Sequence, residues 1–185
     1  MSENNGVVVV VADVQNLYHA AKTFGGGKKV NYKLLMQKIL NGRKGVSCKA
    51  YAAHKDYKES KRFYNSLRAA GFEIVSKRII TKVENGRERL VPRYFEVELA
   101  TDVMDAISDE TVKTVVMCTG NGSYAYLIDR LKDIGISVEV WCFDKATAGS
   151  LKERSAFREI PAECLMSAQE AVKEENASTT ATSVK

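Results

Sequence analysis

The sequence contains few residues of the kinds that build disulfide frameworks or zinc sites. It has four cysteines without a C-x-x-C pair, and its two histidines have no partner at the spacing of metal ligands. Cys118 and Cys142 lie within apolar, strand-like runs. We therefore expect buried, reduced thiols and no structural zinc site.

The sequence also lacks long apolar runs and two common nucleotide-binding motifs. No stretch is long and apolar enough to span a membrane, and residues 1–6 are too polar for a signal peptide. The G-x-x-x-x-G-K pattern of P-loops and the G-x-G-x-x-G pattern of dinucleotide-binding domains are both missing. These absences favour a cytoplasmic protein that binds its ligand in another way.

The order of the apolar segments predicts the fold class. The 185 residues, 45% of them hydrophobic, are enough for one globular domain and a tail. Alternating strand-like and helix-like segments over residues 7–161 predict an α/β fold, a three-layer α/β/α sandwich with a mainly parallel central sheet. We expect a flexible N-terminus over residues 1–6 and a C-terminal tail over residues 162–185, helical as far as Lys173 and then disordered.

Two local signals are specific enough to place single elements. Asn31 is a candidate N-cap for a helix over residues 32–40, because its side chain can accept from the free N–H groups of the first turn. An Asn-Gly pair at 85–86 is a strong tight-turn signal between two strand-like segments, Phe72–Val83 and Arg87–Val91. We expect these two segments to form a hairpin.

Positive charge is concentrated in one part of the sequence. Residues 22–93 contain 19 Lys and Arg against 5 Asp and Glu, and the remaining residues contain 9 against 18, so local charges of +14 and −9 give the net +5. This asymmetry predicts a polyanion-binding face beside a cluster of acids, although solvated basic helix faces would give the same counts. In the hairpin, Lys82 and Arg87 could contact a phosphate backbone, or they could form a charged edge that prevents aggregation.

Polar residues follow two apolar runs at the positions where ligands bind in open α/β sheets. Asp13 follows VVVVVA, and the turn TGNGSY at residues 119–124 follows VVMC. Asp13 could cap the next helix, or it could serve as a metal ligand or general-base partner. The position of the turn, rather than its glycines, makes it a candidate part of the same site.

Glu96 lies near the start of a predicted helix, in the middle of its apolar face. A carboxylate there needs compensation from the helix N-terminus, an arginine or a metal ion. Carboxylates that converge at strand ends bind Mg²⁺ or Mn²⁺ through oxygen, and such an ion can activate water for phosphoryl displacement. If this helix starts beside the two strand ends, Glu96 and Asp13 are candidate ligands of one ion.

Three segments taken together resemble the motifs of the NYN domain family, also described as LabA-like, within the PIN-like nuclease superfamily. They are D-V-Q-N-L at residues 13–17, RYFEVELATD at residues 93–102 and TGNGSY at residues 119–124. The family motifs that they resemble are D-x-x-N-L, K-G-V-D-V-x-L-A-x-D and S-G-D-G-D-F. A later segment, LKERSAF at residues 151–157, echoes L-x-x-x-A-x-x-F, and the resemblance covers residues 7–160.

The resemblance implies a PIN-like fold and a metal-dependent endoribonuclease that hydrolyses RNA phosphodiester bonds in an acidic pocket above the sheet. It implies that Asp13, Glu96 and Asn121 hold Mg²⁺ or Mn²⁺, directly or through water, and that Asp102 is a supporting catalytic acid. The expected partner is single-stranded RNA; a membrane is not expected, and a homodimer is left open. The expected substrate-binding residues are Asn16, which would position the Asp13 loop or a phosphate, Arg93, Thr119 and Ser123, together with Lys82 and Arg87 from the basic hairpin.

Four of the departures from the family pattern concern charged or acidic positions of the motifs. Asn121 and Ser123 stand where the family has acids, Arg93 replaces a lysine, and Glu96 replaces an aspartate. Asn121 can offer an oxygen but no charge, so we expect lower metal affinity and weaker activation of water. Three interpretations stay open: an impaired or altered nuclease, a catalytically inactive RNA-binding module or interaction scaffold with the same fold, and an engineered asparagine at position 121.

Overall fold

The computed structural model describes residues 6–84 and 86–182, so residues 1–5 of the predicted flexible segment and Asn85 of the predicted turn lie outside the described residues. No helix within the described ranges has the length and apolar character needed to cross a membrane. In chain order the strands are β1 (Val7–Asp13), β2 (Lys29–Val30), β3 (Lys44–His54), β4 (Glu73–Arg78), β5 (Ile80–Glu84), β6 (Arg87–Val91), β7 (Val112–Cys118), β8 (Ser137–Cys142), β9 (Ala156–Glu159) and β10 (Leu165–Met166). The helices are α1 (Val14–Phe24), α2 (Tyr32–Leu40), α3 (Tyr57–Ala69), α4 (Glu96–Ala106), α5 (Ala125–Asp133), α6 (Gly149–Arg154) and α7 (Ala168–Thr182).

Six strands form one parallel sheet in the order β4-β3-β1-β7-β8-β9. Strand β1 lies between β3 and β7, and residues 8–12 of this strand are buried on both faces of the sheet. A parallel strand that is covered on both faces needs apolar side chains on both sides, which explains the run of valines in β1.

Helices cover both faces of this sheet. On one face, α1, α2 and α3 pack through residues that include Leu17, Leu35 and Leu67. On the other face, α4, α5 and α6 pack through residues that include Leu99 and Leu151. The three-layer α/β/α sandwich predicted from the sequence is therefore confirmed, and it has the architecture of a PIN-like domain.

Two local predictions are also confirmed. Helix α2 begins and ends as predicted, and Oδ1 of Asn31 accepts a hydrogen bond from the backbone N–H of Leu34 at 2.9 Å. Cys118 and Cys142 are buried free thiols, and burial raises the pKa of both. Both cysteines therefore stay protonated at neutral pH and serve as small apolar side chains in the core.

The strand predicted over residues 72–83 is divided into two. Its first part, β4, pairs with β3 only as far as the end of β3 at His54, where the N–H of Ile79 donates to the carbonyl of His54 at 2.8 Å. Beyond this point the central sheet offers no partner to the chain, and β5 pairs antiparallel with β6 instead. The predicted hairpin thus exists as a separate ribbon, and its side chains are exposed along nearly its whole length.

The C-terminal segment is helical for longer than predicted. Helix α7 extends to Thr182, whereas the sequence indicated disorder beyond Lys173. The helix packs against α3, buries Ala171, and closes one side of a cavity of about 400 Å³ whose lining also includes residues of α1, α2 and α3. Tertiary contact of this kind stabilises a segment whose own composition is too polar to predict folding. Among the described residues that line the cavity, none is a predicted site residue.

Deletion of residues 168–185 should lower thermal stability, because it uncovers the apolar lining of this cavity, which includes Tyr32 and Phe63. We expect a loss of about 1–2 kcal/mol, which corresponds to a decrease of about 2–8 °C in Tm for a chain of this size. Thermal unfolding followed by circular dichroism measures the change, with a chain that lacks only residues 183–185 as the control. An unchanged Tm in the longer deletion would mean that α7 does not pack in solution.

Candidate functional site

The candidate site begins at the carboxyl ends of two neighbouring strands. Asp13 is the last residue of β1, and β7 ends at Cys118 beside Ala12, so the turn after β7 starts at the same edge of the sheet. Oδ1 of Asp13 accepts a hydrogen bond from the N–H of Asn16 at 3.0 Å and caps helix α1. Asp13 therefore has the capping function considered from the sequence, and its carboxylate also stands at the ligand-binding edge of the sheet.

Asn16 joins the two loops that leave these strands. Its Oδ1 accepts a hydrogen bond from the N–H of Gly120 at 2.7 Å. Gly120 lies so close to the next turn that an added Cβ would be 2.2 Å from the carbonyl oxygen of Ala146, so no larger residue fits without movement of the backbone. Thr119, which is buried, accepts from the N–H of Asn121 at 3.2 Å through its hydroxyl. These contacts fix the backbone of the turn.

Glu96, the first residue of α4, reaches this turn from another part of the chain. Its Oε1 accepts a hydrogen bond from Nδ2 of Asn121 at 3.1 Å. Burial, and to a smaller extent the charge of Glu96, raises the pKa of Asp13. The structure thus places Glu96 between two of the predicted site residues, with a hydrogen bond to Asn121 and an electrostatic effect on Asp13. The N-cap of α4 is Phe95, which makes no side-chain capping bond, while the carboxylate of Glu96 bonds to a residue outside α4.

Asn121 uses both ends of its amide. While Nδ2 donates to Glu96, Oδ1 accepts from the N–H of Ser123 at 3.0 Å and caps the short 3₁₀ turn Gly122–Tyr124. Ser123 is exposed and contributes its backbone, rather than its hydroxyl, to this arrangement. Asn121 is the hydrogen-bond donor in its contact with Glu96 and thereby orients the Glu96 carboxylate. An ionised aspartate at position 121 has no proton to donate and could not do this.

The other predicted acid has different neighbours. The carboxylate of Asp102 accepts from Nζ of Lys49 at 2.7 Å and from the hydroxyl of Tyr51 at 2.8 Å, and these contacts tie α4 to β3. The described contacts do not join Asp102 to Asp13 or Glu96. Its predicted catalytic role stays a prediction, and its observed contacts are structural.

The basic candidates lie on the segment that leads into α4. Lys82 and Arg87 are on opposite strands of the exposed β5–β6 hairpin, which is connected to Glu96 through residues 92–95. Arg93 is half-buried and lies near Glu98; a hydrogen bond from Lys77, and to a smaller extent the charge of Arg93, holds the pKa of Glu98 below its usual range. The hairpin therefore carries exposed positive charge, and in the chain it directly precedes the segment that contains Glu96 and Glu98.

Tyr124 ends the predicted turn at residues 119–124, but the sequence did not indicate the surroundings of its hydroxyl. The side chain is 2% exposed, and its hydroxyl has no hydrogen-bond partner among the described residues. Burial raises the pKa of Tyr124, and the charges of Asp13, Glu96 and Glu98 raise it further. The available signal was that Tyr124 occupies the position of phenylalanine in the family motif, so its hydroxyl is an addition to an apolar position.

The residues present fit a divalent cation only in a limited way. Within residues 6–84 and 86–182 there is no group of three or more His, Cys, Asp or Glu placed to hold a metal ion. Asp13 and Glu96 nevertheless provide two carboxylates whose mutual repulsion contributes to the raised pKa of Asp13. Mg²⁺ is commonly held by one or two carboxylates and keeps several waters. The donor set therefore suits one hydrated, weakly held ion rather than an ion enclosed by protein ligands.

Comparison with known proteins places most of the chain in one family. The model of the NYN domain family matches residues 7–161. The crystal structure of a protein of unknown function from Vibrio parahaemolyticus RIMD 2210633 has a TM-score of 0.76 and 23% identity, covering 90% of this chain and 99% of that chain, and it has the same fold. Acinetobacter baumannii MurG has a TM-score of 0.43 and 12% identity, covering 85% of this chain and 42% of that chain. None of the curated proteins compared with the chain matches it.

Replacing Tyr124 by phenylalanine should raise the thermal stability of the protein, because it removes a buried hydroxyl without a partner. We expect a gain of about 1 kcal/mol, or about 2–4 °C in Tm. Tyr51→Phe is the matched control, since its hydroxyl donates to Asp102 and its loss should lower Tm. If Tyr124→Phe lowers Tm as much as Tyr51→Phe does, the Tyr124 hydroxyl has a partner in solution.

Proposed function

Because the chain belongs to the NYN domain family, we propose that it is a ribonuclease domain of the LabA-like kind that acts on RNA phosphodiester bonds. Family membership implies a PIN-like nuclease fold with RNA as the substrate class. The observation that carries the proposal is the convergence of Asp13, Glu96 and Asn121 at the carboxyl edge of the sheet. One or two carboxylates, together with the substrate phosphate, commonly hold Mg²⁺ at sites of phosphoryl chemistry, and Asp13 and Glu96 provide two at this edge.

Asp13 and Glu96 would hold one Mg²⁺ or Mn²⁺ with water as the remaining ligands. When bound, such an ion supplies an activated water and neutralises charge on the phosphate. Asn121 orients the carboxylate of Glu96 through its amide N–H. Asn16 keeps the Asp13 loop and the Asn121 turn at a fixed separation through its hydrogen bond with Gly120, and Thr119 fixes the turn itself through its bond with the N–H of Asn121. Because Asn121 contributes no charge, the proposed enzyme binds metal weakly and cuts slowly.

The basic hairpin would hold the RNA backbone beside this edge. Its strands carry Lys82, Arg87 and Arg89, and their side chains are exposed to solvent. Phosphate contacts of this kind position a nucleic acid without reading its sequence. The proposed division of roles is therefore backbone binding by the hairpin and chemistry at the strand ends.

A second candidate function has one observation in its favour. The amide of Asn121 already satisfies Glu96, so the pocket is held in place without any cation. A protein that keeps the fold and the basic hairpin, but has neutral residues at positions 121 and 123 where the family has acids, would bind RNA without cutting it. Measurements of cleavage and of binding under the same conditions separate these two functions.

We expect Mn²⁺-dependent cleavage of a labelled single-stranded RNA, abolished by Asp13→Ala and retained by Asp105→Ala, which changes an exposed aspartate of α4. Asn121→Asp should lower the Mn²⁺ concentration for half-maximal cleavage by about 10-fold, a typical effect of restoring a metal-site acid. Thermal unfolding with and without Mn²⁺ gives a readout independent of activity, since a bound ion stabilises the folded state.

Other outcomes of this experiment have distinct meanings. Salt-sensitive RNA binding without cleavage, in both the wild type and Asn121→Asp, would support the non-catalytic module. Cleavage that appears only in Asn121→Asp would identify a disabled active site. If neither binding nor cleavage occurs at low salt, the ribonuclease proposal is wrong and an interaction scaffold is favoured.

Charge reversal in the hairpin should weaken RNA binding. In the double variant Lys82→Glu with Arg87→Glu, two phosphate contacts are lost. Since each contact on a single strand contributes about 0.7 to the slope of log K against log salt concentration, we expect this slope to become shallower by about 1.4. Lys113→Glu with Lys132→Glu makes the same change in net charge at exposed positions outside the hairpin. Fluorescence anisotropy measures both; equal effects of the two double variants would remove the hairpin from the binding face.

A further inference from the structure

Two tyrosines that are close in the chain to residues of the candidate site have solvent-exposed rings. Tyr94 is 68% exposed and Tyr126 is 75% exposed, while Tyr51 and Tyr124 are buried. Tyr94 is two residues before Glu96, and Tyr126 lies in the first turn of α5, directly after the 3₁₀ turn that Asn121 caps. Single exposed apolar side chains are common on protein surfaces, so the exposure of these two rings gains meaning only from the chain segments that carry them.

The segments that carry the two rings meet at the site. The hydrogen bond from Asn121 to Glu96, at 3.1 Å, joins the start of α4 to the turn before α5. Tyr94 leads into one side of this junction, and Tyr126 leads away from the other. A ligand whose phosphate reaches Asp13 and Glu96 would therefore have an exposed aromatic ring on each of the two chain segments that flank it.

The backbone beneath Tyr94 is held firmly. Nζ of Lys77 donates to the carbonyl oxygen of Tyr94 at 2.7 Å, pairs with Glu98, and lies 4.9 Å from the centre of the Phe95 ring. Phe95 itself is buried. A ring on a fixed backbone has less freedom to lose on binding, so its contact with a ligand is more favourable.

The ring of Tyr126 also projects from a fixed element. The residues that follow it, Leu127 and Ile128, are buried and anchor the first turn of α5 in the core. Tyr126 therefore extends from a rigid helix, and its exposure does not come from a loose loop.

We propose that Tyr94 and Tyr126 stack on unpaired bases on either side of the phosphate at Asp13 and Glu96, so that the site takes single-stranded RNA. This inference rests on the proposed function, because it assumes that RNA is the ligand. Aromatic rings stack on every base, and a basic surface that follows the backbone commonly accompanies them. In a duplex the bases are already stacked and paired, so the two rings would have no free base face to contact.

The test compares binding of three RNAs in EDTA, where a metal-dependent nuclease cannot cut. They are a labelled single strand, the duplex of the same sequence, and the single strand with abasic sites, each measured by fluorescence anisotropy. Tyr94→Ala and Tyr126→Ala should each weaken binding of the single strand by about 5- to 100-fold, and they should change binding of the duplex and the abasic strand little. Tyr94→Phe and Tyr126→Phe keep the ring and should bind as the wild type does.

Phe24→Ala is the matched control, since it removes an exposed aromatic ring at the opposite end of α1 from Asp13. Equal binding of the single strand by the wild type and both alanine variants would overturn the inference while leaving the proposed function intact. Equal losses on the abasic strand would also overturn it. Failure of the wild type to bind any of the RNAs at low salt would overturn the proposed function as well. If the alanine variants change only self-association in sedimentation, the rings serve a protein contact and the inference is wrong.

Discussion

The geometry of the site depends on one hydrogen bond between two loops. Oδ1 of Asn16 accepts from the N–H of Gly120 at 2.7 Å, while the N–H of Asn16 donates to Asp13. One residue therefore fixes both the carboxylate at the end of β1, through its backbone N–H, and the turn that carries Asn121, through its side chain. Neighbouring parallel strands place their carboxyl ends at the same edge, and this bond converts that shared position into a defined separation.

The behaviour of the site follows from the charges at this edge. Asp13 is partly buried beside Glu96, and both effects favour its protonated form. An aspartate at position 121 would add a third negative charge to this pair, whereas asparagine donates a hydrogen bond to Glu96. In the proposed function, the amide that adds no charge for a cation is also the group that holds the Glu96 carboxylate in place. For this reason we propose both a ribonuclease and, as the second candidate, a non-catalytic RNA-binding module.

The site residues predicted from the sequence divide according to their position along the elements. Asp13 ends β1, and Asn16 and Asn121 each lie three residues beyond a strand end, at the edge where the rule for open α/β sheets expects ligands. Asp102 is on the same helix as Glu96 but about 9 Å further along its axis, at 1.5 Å per residue. Its carboxylate pairs with Lys49 on the neighbouring strand instead. The family motif at residues 93–102 contains both Glu96 and Asp102, but it does not show which of these two carboxylates lies near Asp13 and Asn121.

The sequence by itself determined the layers, the parallel sheet and the cap of α2, because periodicity and capping act through near neighbours in the chain. Only the tertiary structure decided where β4 ends and β5 begins, that α7 continues to Thr182, and that the hydroxyl of Tyr124 is buried without a partner among the described residues. It also decided that Asn121 donates to Glu96 and that Tyr94 and Tyr126 remain in water. These features depend on contacts between segments far apart in the chain, and local patterns contain no record of such contacts.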